Sequence, residues 1–482
     1  MSLDLLHSLL SNAWSIFLVV LFFGGSIFVH ELGHFLVARR RGVHVERFSI
    51  GFGPAIFKWR GKDGVEYRLS WIPLGGYVLL PQLADLGPIE GRSEADVEAL
   101  PPIGYTSKML VFVAGAAFNI LFAFALAIIV WLVGQPATSE TVTTSVGRVV
   151  PTLTLPDGSV VPSPASEAGL QVGDVIRAID GAQVDNWGDI QVLIGLGSGQ
   201  SADGQRQAVF TIDRDGRTLT LAVHPRLVGK DGYRQVGIAP GYELIVQRVT
   251  PDSAAAQAGF VAGDRILSLD GVNTLNVGTY FEQLDRSRDR AVTARVQRGE
   301  TGQEQTVALT IPARADATSG ADIGLALSTG FKLIHPTPFA QLSEQFSMTF
   351  RTLWSLINPH SDVGLSKVSG PVGIVRIFHS AAEAGIRMVL VFTILINVNL
   401  AIFNLLPLPI LDGGQMLFAT IGKLRGRALP PNFIIAAQST FGVLLLTLVI
   451  YVSFFDVRHW VRDAADDRAA APPSSAPAAP AK

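Results

Sequence analysis

The stretch Trp14–Ala38 reads WSIFLVVLFFGGSIFVHELGHFLVA, and it decides how the rest of the chain is understood. A bilayer span needs roughly 20 mostly apolar residues, and this stretch supplies them. Yet it holds His30, Glu31 and His34, three ionisable groups within five positions. Ionisable groups in such a setting are costly and point to function. A cleaved signal peptide is the other way to read an early apolar run. Here the run is too long, and its basic cluster, Arg39-Arg40-Arg41, follows it instead of preceding it. The segment is therefore read as a retained anchor.

Three more windows match its length and character: about Met109–Val133, Ile386–Leu411 and Phe433–Phe455. Basic residues orient the chain. Arg39 to Arg41, then Arg47, Lys58, Arg60, Lys62 and Arg68, follow span one, while Lys423, Arg425 and Arg427 separate spans three and four. Both short loops are cytoplasmic if the N-terminus is outside, which also puts the C-terminus and the long middle segment outside. The 482 residues exceed one ordinary domain. Only 16% are charged and 48% are hydrophobic, which excludes a disordered chain. The formal net charge of −2 offers nucleic acid no general basic field. The absence of cysteine excludes disulfide frameworks, Cys-ligated zinc, iron–sulfur clusters and thiol nucleophiles.

The middle segment carries an internal repeat. Gly169, Gly173-Asp174, Ile176 and Asp180-Gly181 recur ninety residues later as Gly259, Gly263-Asp264, Ile266 and Asp270-Gly271. Each copy predicts a short helix, a glycine turn, an alternating strand and an Asp-Gly hairpin turn. The pattern resembles a tandem pair of PDZ domains, placed at residues 140–241 and 242–328. Residues 336–380 form a linker whose apolar positions Phe339, Leu342, Phe346, Phe350, Leu353, Trp354 and Ile357 recur at helical spacing. That suits either a helix on the outer membrane surface or one packed on a neighbouring domain. The Ala- and Pro-rich tail, within 464–482, is expected to be disordered.

His30-Glu31-Leu32-Gly33-His34 is an HExxH arrangement, which composition would produce by accident about 0.01 times. On a helix both imidazoles share one face, and Glu31 sits about 100° round, beside an ion and not on it. That placement suits a general base for a zinc-bound water. A hydrolytic zinc site needs a third protein ligand and an open position. The seven other histidines (His7, His44, His224, His335, His360, His379, His459) all fall outside the spans' interiors. Asp412, after Asn404-Leu-Leu-Pro407-Leu-Pro409-Ile-Leu, lies toward the same side of the bilayer as His34. The prolines there unwind the helix, which only a protein-lined, wetted cavity tolerates. A plain helix-ending turn at Asp412-Gly413-Gly414 is the structural alternative.

His30-Glu31-xx-His34 in one span, with Asn404-xx-Pro407-x-Pro409-xx-Asp412-Gly413 in another, resembles the site-2 protease family of intramembrane zinc metalloproteases. The PDZ pair between spans two and three is similar to that family's bacterial regulator-of-sigma-E branch. So are Phe48-Ser-Ile-Gly51-Phe-Gly53, Pro73-Leu-Gly75-Gly76-Tyr77-Val78 and Val368-Ser-Gly370-Pro371-Val-Gly373-Ile374. Two stretches depart from the pattern: Ala114 to Asn119, where the family more often has Gly-Pro before the Asn, and Leu79 to Pro102.

The resemblance implies a polytopic α-helical membrane protein with two periplasmic PDZ domains inserted between transmembrane helices 2 and 3. Its parts would be helix 1 with HExxH (1–38), a cytoplasmic loop with a membrane-associated β-hairpin (39–106), helix 2 (107–134), the PDZ pair and linker, helix 3 with the Asp412 motif (386–412) and helix 4 (432–455). It implies Zn2+ held by His30, His34 and Asp412, with Glu31 as catalytic acid/base. Asn404 and the hairpin residues Gly75 and Gly76 would handle substrate. The implied setting is a bacterial inner membrane, with termini and PDZ domains periplasmic and basic loops cytoplasmic. Partners would be the bilayer and single-span membrane proteins already cut by another protease, such as anti-sigma factors or remnant signal peptides, with no nucleic acid. The rival from another class is a membrane-anchored PDZ scaffold with an inert metal site. A zinc-dependent transporter is a third, but only span three is rich in polar residues (Asn397, Asn399, Asn404).

Overall fold

Apolar helix α1 (Leu3–Arg40) opens the chain and ends on Arg39 and Arg40, cations that suit a helix C-terminus. A hairpin follows, β1 (Arg47–Arg60) and β2 (Glu66–Leu79), paired antiparallel with several register shifts. Near α1 its residues are buried: Phe48 and Val78 join Phe35, Ala38 and Val111 in one cluster. Farther out its large side chains are bare, including Phe57, Trp59 and Trp71. Helix α2 (Tyr105–Val133) then returns. The computed structural model describes residues 3–83, 100–229, 232–287, 290–299, 303–310 and 323–470. The predicted loop segment 84–99, part of the second PDZ stretch (311–322) and the tail from 471 lie outside them.

The chain divides into two compact units, one of Met1–Gln135, His335–Thr349 and Leu365–Lys482, the other of Pro136–Ile334 and Phe350–Gly364. The second unit contains both copies of the repeat. In the first copy come β3 (Val146–Val149), α3 (Pro164–Glu167), β4 (Val175–Ile179), β5 (Ala182–Gln183), α4 (Trp187–Gly195), β6 (Ala208–Arg214) and β7 (Arg217–Val223). Its main sheet has the order β7-β6-β4-β5. The second copy has β8 (Leu244–Val249), α5 (Ala254–Ala258), β9 (Arg265–Leu269), α6 (Val277–Arg286), β10 (Ala291–Arg298), β11 (Gln303–Thr310) and β12 (Leu325–Ser328). There the order is β11-β10-β9-β8-β12, with Val272–Asn273 at the side of β9.

The repeated residues do the same work twice. Ser163 and Ser253 cap α3 and α5, each accepting from a backbone N–H three residues on at 3.2 Å. Asp180 and Asp270 adopt positive φ (50° and 47°), as hairpin turns demand. Their carboxylates accept from Val209 N and Thr293 N, both at 2.8 Å. Asp174 and Asp264, nearly fully buried, accept fork-like pairs from Arg214 (2.6 and 2.7 Å) and Arg298 (2.6 and 2.6 Å). Each copy closes over its own apolar core, the first around Ile176, Phe210 and Ile212, the second around Leu269, Tyr280 and Leu284.

Amphipathic helix α7 (Pro338–Ile357) leads on to α8 (Pro371–Glu383), α9 (Ile386–Asn404), α10 (Asp412–Leu424) and α11 (Pro431–Ala470). α11 thus continues seven residues into the stretch expected to be disordered. Among the described residues, four helices are long and apolar enough to cross a bilayer: Ala13–Arg40, Tyr105–Val133, Ile386–Asn404 and Pro431–Arg462. Some polar groups among them make bonds between helices. Asn397 on α9 donates to Ser26 Oγ at 2.8 Å, and Thr349 Oγ1 donates to Asn399 Oδ1 at 2.5 Å. Asp456 on α11 accepts from the backbone N–H of Gly370 (3.0 Å) and Gly373 (2.8 Å), satisfying orphan donors at the start of α8. That contact explains the Ser-Gly-Pro-Val-Gly motif, because a Cβ on Gly373 would lie 2.9 Å from the same carboxylate.

Candidate metal centre

His30 and His34 fall on one face of α1 because a helix places i and i+4 together. Asp412 reaches them because α9 stops at Asn404 and α10 restarts at Asp412, with Pro407 and Pro409 in the break. Asp412 therefore begins a helix instead of ending one. Gly413 and Gly414 let the preceding loop fold back, since their Cβ atoms would meet Leu405 O at 2.3 Å and Leu408 O at 2.0 Å.

The three donor atoms converge. His30 Nε2 lies 3.1 Å from His34 Nε2, and Asp412 Oδ2 lies 3.2 and 3.4 Å from them. Four ligands at about 2.0–2.1 Å around a tetrahedral zinc stand about 3.3–3.4 Å apart, so this triangle has the size of a zinc site's face. All three residues have little exposure, and Asp412 Oδ2 is buried with no well-aligned hydrogen bond of its own. His34 Nδ1–H donates to Val111 O at 2.7 Å, which leaves its Nε2 lone pair free. The donor set and the orphaned oxygen fit zinc.

Glu31 and Asn404 line the same cavity, of about 210 Å³, together with Val78, Phe112 and Gln415. Gly76 on β2 passes close by: a Cβ there would sit 3.5 Å from Glu31 Cγ and only 2.7 Å from Ser49 O. Gly75, next to it, faces the Phe52 ring instead. Of the seven site residues expected from the sequence, His30, Glu31, His34, Asn404 and Asp412 line this cavity, Gly76 lies beside Glu31, and Gly75 is not brought to it. Helix α2 adds groups that the sequence reading named only as part of a departure from the family pattern, with no role at the metal. Gly115 runs against the ligands, where a Cβ would come within 2.4 Å of His34 Nε2 and 2.7 Å of His30 Nε2. Asn119 Nδ2 stands 3.3 Å from His30 Nδ1. The available signal was a lone polar side chain among the apolar residues between Met109 and Val133.

Four bilayer-length helices around two histidines, a carboxylate and a free Glu define a membrane metallopeptidase. The chain belongs to peptidase family M50, whose pattern it matches over residues 17–448. It is 30% identical over 487 residues to the regulator of sigma-E protease RseP of Escherichia coli K12, covering 92% of this chain and 99% of that one. Protease RseP of Yersinia pestis is 30% identical over 488 residues, with 92% and 99% covered. The regulator of sigma E protease of Haemophilus influenzae is 30% identical over 467 residues, with 93% and 99% covered. A solved PDZ domain from Listeria monocytogenes is 20% identical across 17% of this chain and 85% of its own. Its TM-score is 0.16, so the PDZ likeness rests on the repeat and its strand order instead. The chain is a zinc metalloprotease of the site-2 type.

Proposed function

We propose that His30, His34 and Asp412 hold the zinc, that Glu31 is the catalytic acid/base, and that the bond cut lies within a membrane-spanning segment of the substrate. The convergence of the three donor atoms within 3.4 Å carries this reading. Bound zinc supplies Lewis acidity, generating a nucleophile near neutral pH and polarising the scissile carbonyl. Glu31, one position round the helix from His30, takes the proton of the attacking water and returns it to the leaving amine. Val111 O and the close packing of α2 keep His34 oriented while this happens.

A helical substrate has its carbonyls engaged internally and must be opened first. Asn404, in the cavity lining, and the Gly75-Gly76 strand, whose Gly76 passes close to Glu31, are suited to pair with an extended stretch. The basic residues after α1 and between α10 and α11 support cytoplasmic loops, with the termini and PDZ-like domains periplasmic in a bacterial inner membrane. Relatives named regulators of sigma-E support a substrate in sigma-E control; that it is a single-span anti-sigma factor trimmed beforehand by another protease, or a remnant signal peptide, is what the family resemblance implies. Purified protein should carry stoichiometric zinc and cut a single-span substrate in a Glu31-dependent manner. Stoichiometric zinc with cleavage unchanged in Glu31→Gln would defeat this reading.

A further inference from the structure

Val111, Gly115 and Asn119 stand four apart on α2, so they share one face, and that face lies against the two histidines. Val111 O takes the Nδ1 proton of His34 at 2.7 Å, and Gly115 leaves room for both rings. Asn119 completes the row, its Nδ2 3.3 Å from His30 Nδ1. The residue is 0% exposed, and its Oδ1 is buried without a hydrogen-bond partner. A buried amide left half-satisfied inside an apolar helix is costly and calls for a reason.

We propose that Asn119 is a positioning residue for the zinc site, holding His30 through Nδ1 so that Nε2 faces the metal. An imidazole that gives Nε2 to a metal must keep its proton on Nδ1, and that proton needs an acceptor. In the present arrangement Asn119 offers its Nδ2 donor to Nδ1, which matches the tautomer protonated on Nε2 with Asp412 Oδ2 3.2 Å away. A half-turn of the amide replaces Nδ2 by Oδ1, the atom now without a partner, and the zinc-ready tautomer is met. Asparagine alone among residues of this size serves both states. Aspartate can only accept, and leucine can do neither.

The inference rests on the ligand set proposed above. Its test uses the full chain in detergent, with zinc affinity read by competition with a chelator. Asn119→Leu and Asn119→Ala should each weaken zinc by about 10–100-fold, the usual effect of losing an outer partner of a ligand. Asn119→Asp, which keeps the acceptor, should hold zinc about as tightly as the parent. Parental affinity in the two apolar variants overturns the proposal. So does an equal loss in all three, because aspartate keeps both the size of asparagine and the acceptor that the proposal calls for. Asp412→Ala is measured alongside. Undiminished zinc there removes the ligand set itself, whereas its loss beside unchanged Asn119→Leu and Asn119→Ala removes only the role of Asn119.

Discussion

Gly115 shows how tightly single atoms control this centre. A methyl group there would stand 2.4–2.7 Å from atoms of both histidine rings, far inside van der Waals contact, and α2 cannot retreat freely. Gly33 of α1 already touches it closely, since a Cβ on Gly33 would lie 2.5 Å from Ala114 O. Gly115→Ala should therefore lower zinc content, visible by elemental analysis, with leucine there worse than alanine. Glu31→Gln should separate chemistry from ligation: zinc content stays parental while cleavage falls by about 10²–10⁴-fold or more. Zinc lost from that variant would make Glu31 a ligand. Asp412→Ala should lose both zinc and activity. The HExxH residues were legible in the sequence because helical periodicity turns spacing into geometry, and Asp412 because other ligands were absent and prolines marked an opened helix. Gly115, Val111 and Asn119 were not, because the register of one helix against another is set by packing that no local pattern records.

At the scale of elements, the repeat was legible in its turns but not in its ion pairs. The glycines and Asp-Gly turns recur at an offset of ninety, whereas the arginines that serve Asp174 and Asp264 recur as Arg214 and Arg298, an offset of 84. A fixed-period comparison misses partners that sit on strands following loops of different length. Asp362 is another such partner. It follows α7 yet accepts from Arg206 Nε and Nη2 (2.9 and 2.8 Å) and from Arg234 Nε (2.6 Å), all within the second unit. Arg206 foremost, after it Arg234, holds its carboxyl down at about 2 against an opposing effect of burial. Because the folded pKa is depressed, this contribution to stability is present above the ordinary carboxylate range, near pH 4, and is lost as pH falls through about 2. Thermal unfolding followed between pH 5 and pH 2 should show the parent losing more stability than Asp362→Asn, which lacks the titrating group. Parallel curves would show that the cluster adds nothing. At neutral pH Asp362→Ala should cost about 1–3 kcal/mol, since Arg234, whose side chain is 1% exposed, keeps its charge and loses a partner.

For the whole molecule, the issue is why a protease whose chemistry belongs to the first unit carries a second unit of two PDZ-like domains. The second unit begins at Pro136, three residues after α2 ends, and returns at Ile334, four residues before α7 starts. The connections between the two units are thus short in sequence. A substrate segment entering from the bilayer would have to bring any domain of its own into the same space. We therefore expect the pair to act as a size filter, excluding large external domains by clash and admitting trimmed substrates. Deleting roughly residues 143–328 should then permit cleavage of untrimmed substrate while zinc content stays parental. Arg206 and Arg234 leave with the deleted stretch, so Asp362 loses those two contacts. The competing expectation is capture, in which a groove binds a newly exposed C-terminus by adding it as a strand. Under capture the same deletion should slow cleavage of trimmed substrate and leave untrimmed substrate intact. With both substrate forms measured in the parent and in the deletion variant, cleavage of the untrimmed form rises only under the filter and cleavage of the trimmed form falls only under capture, so the comparison decides.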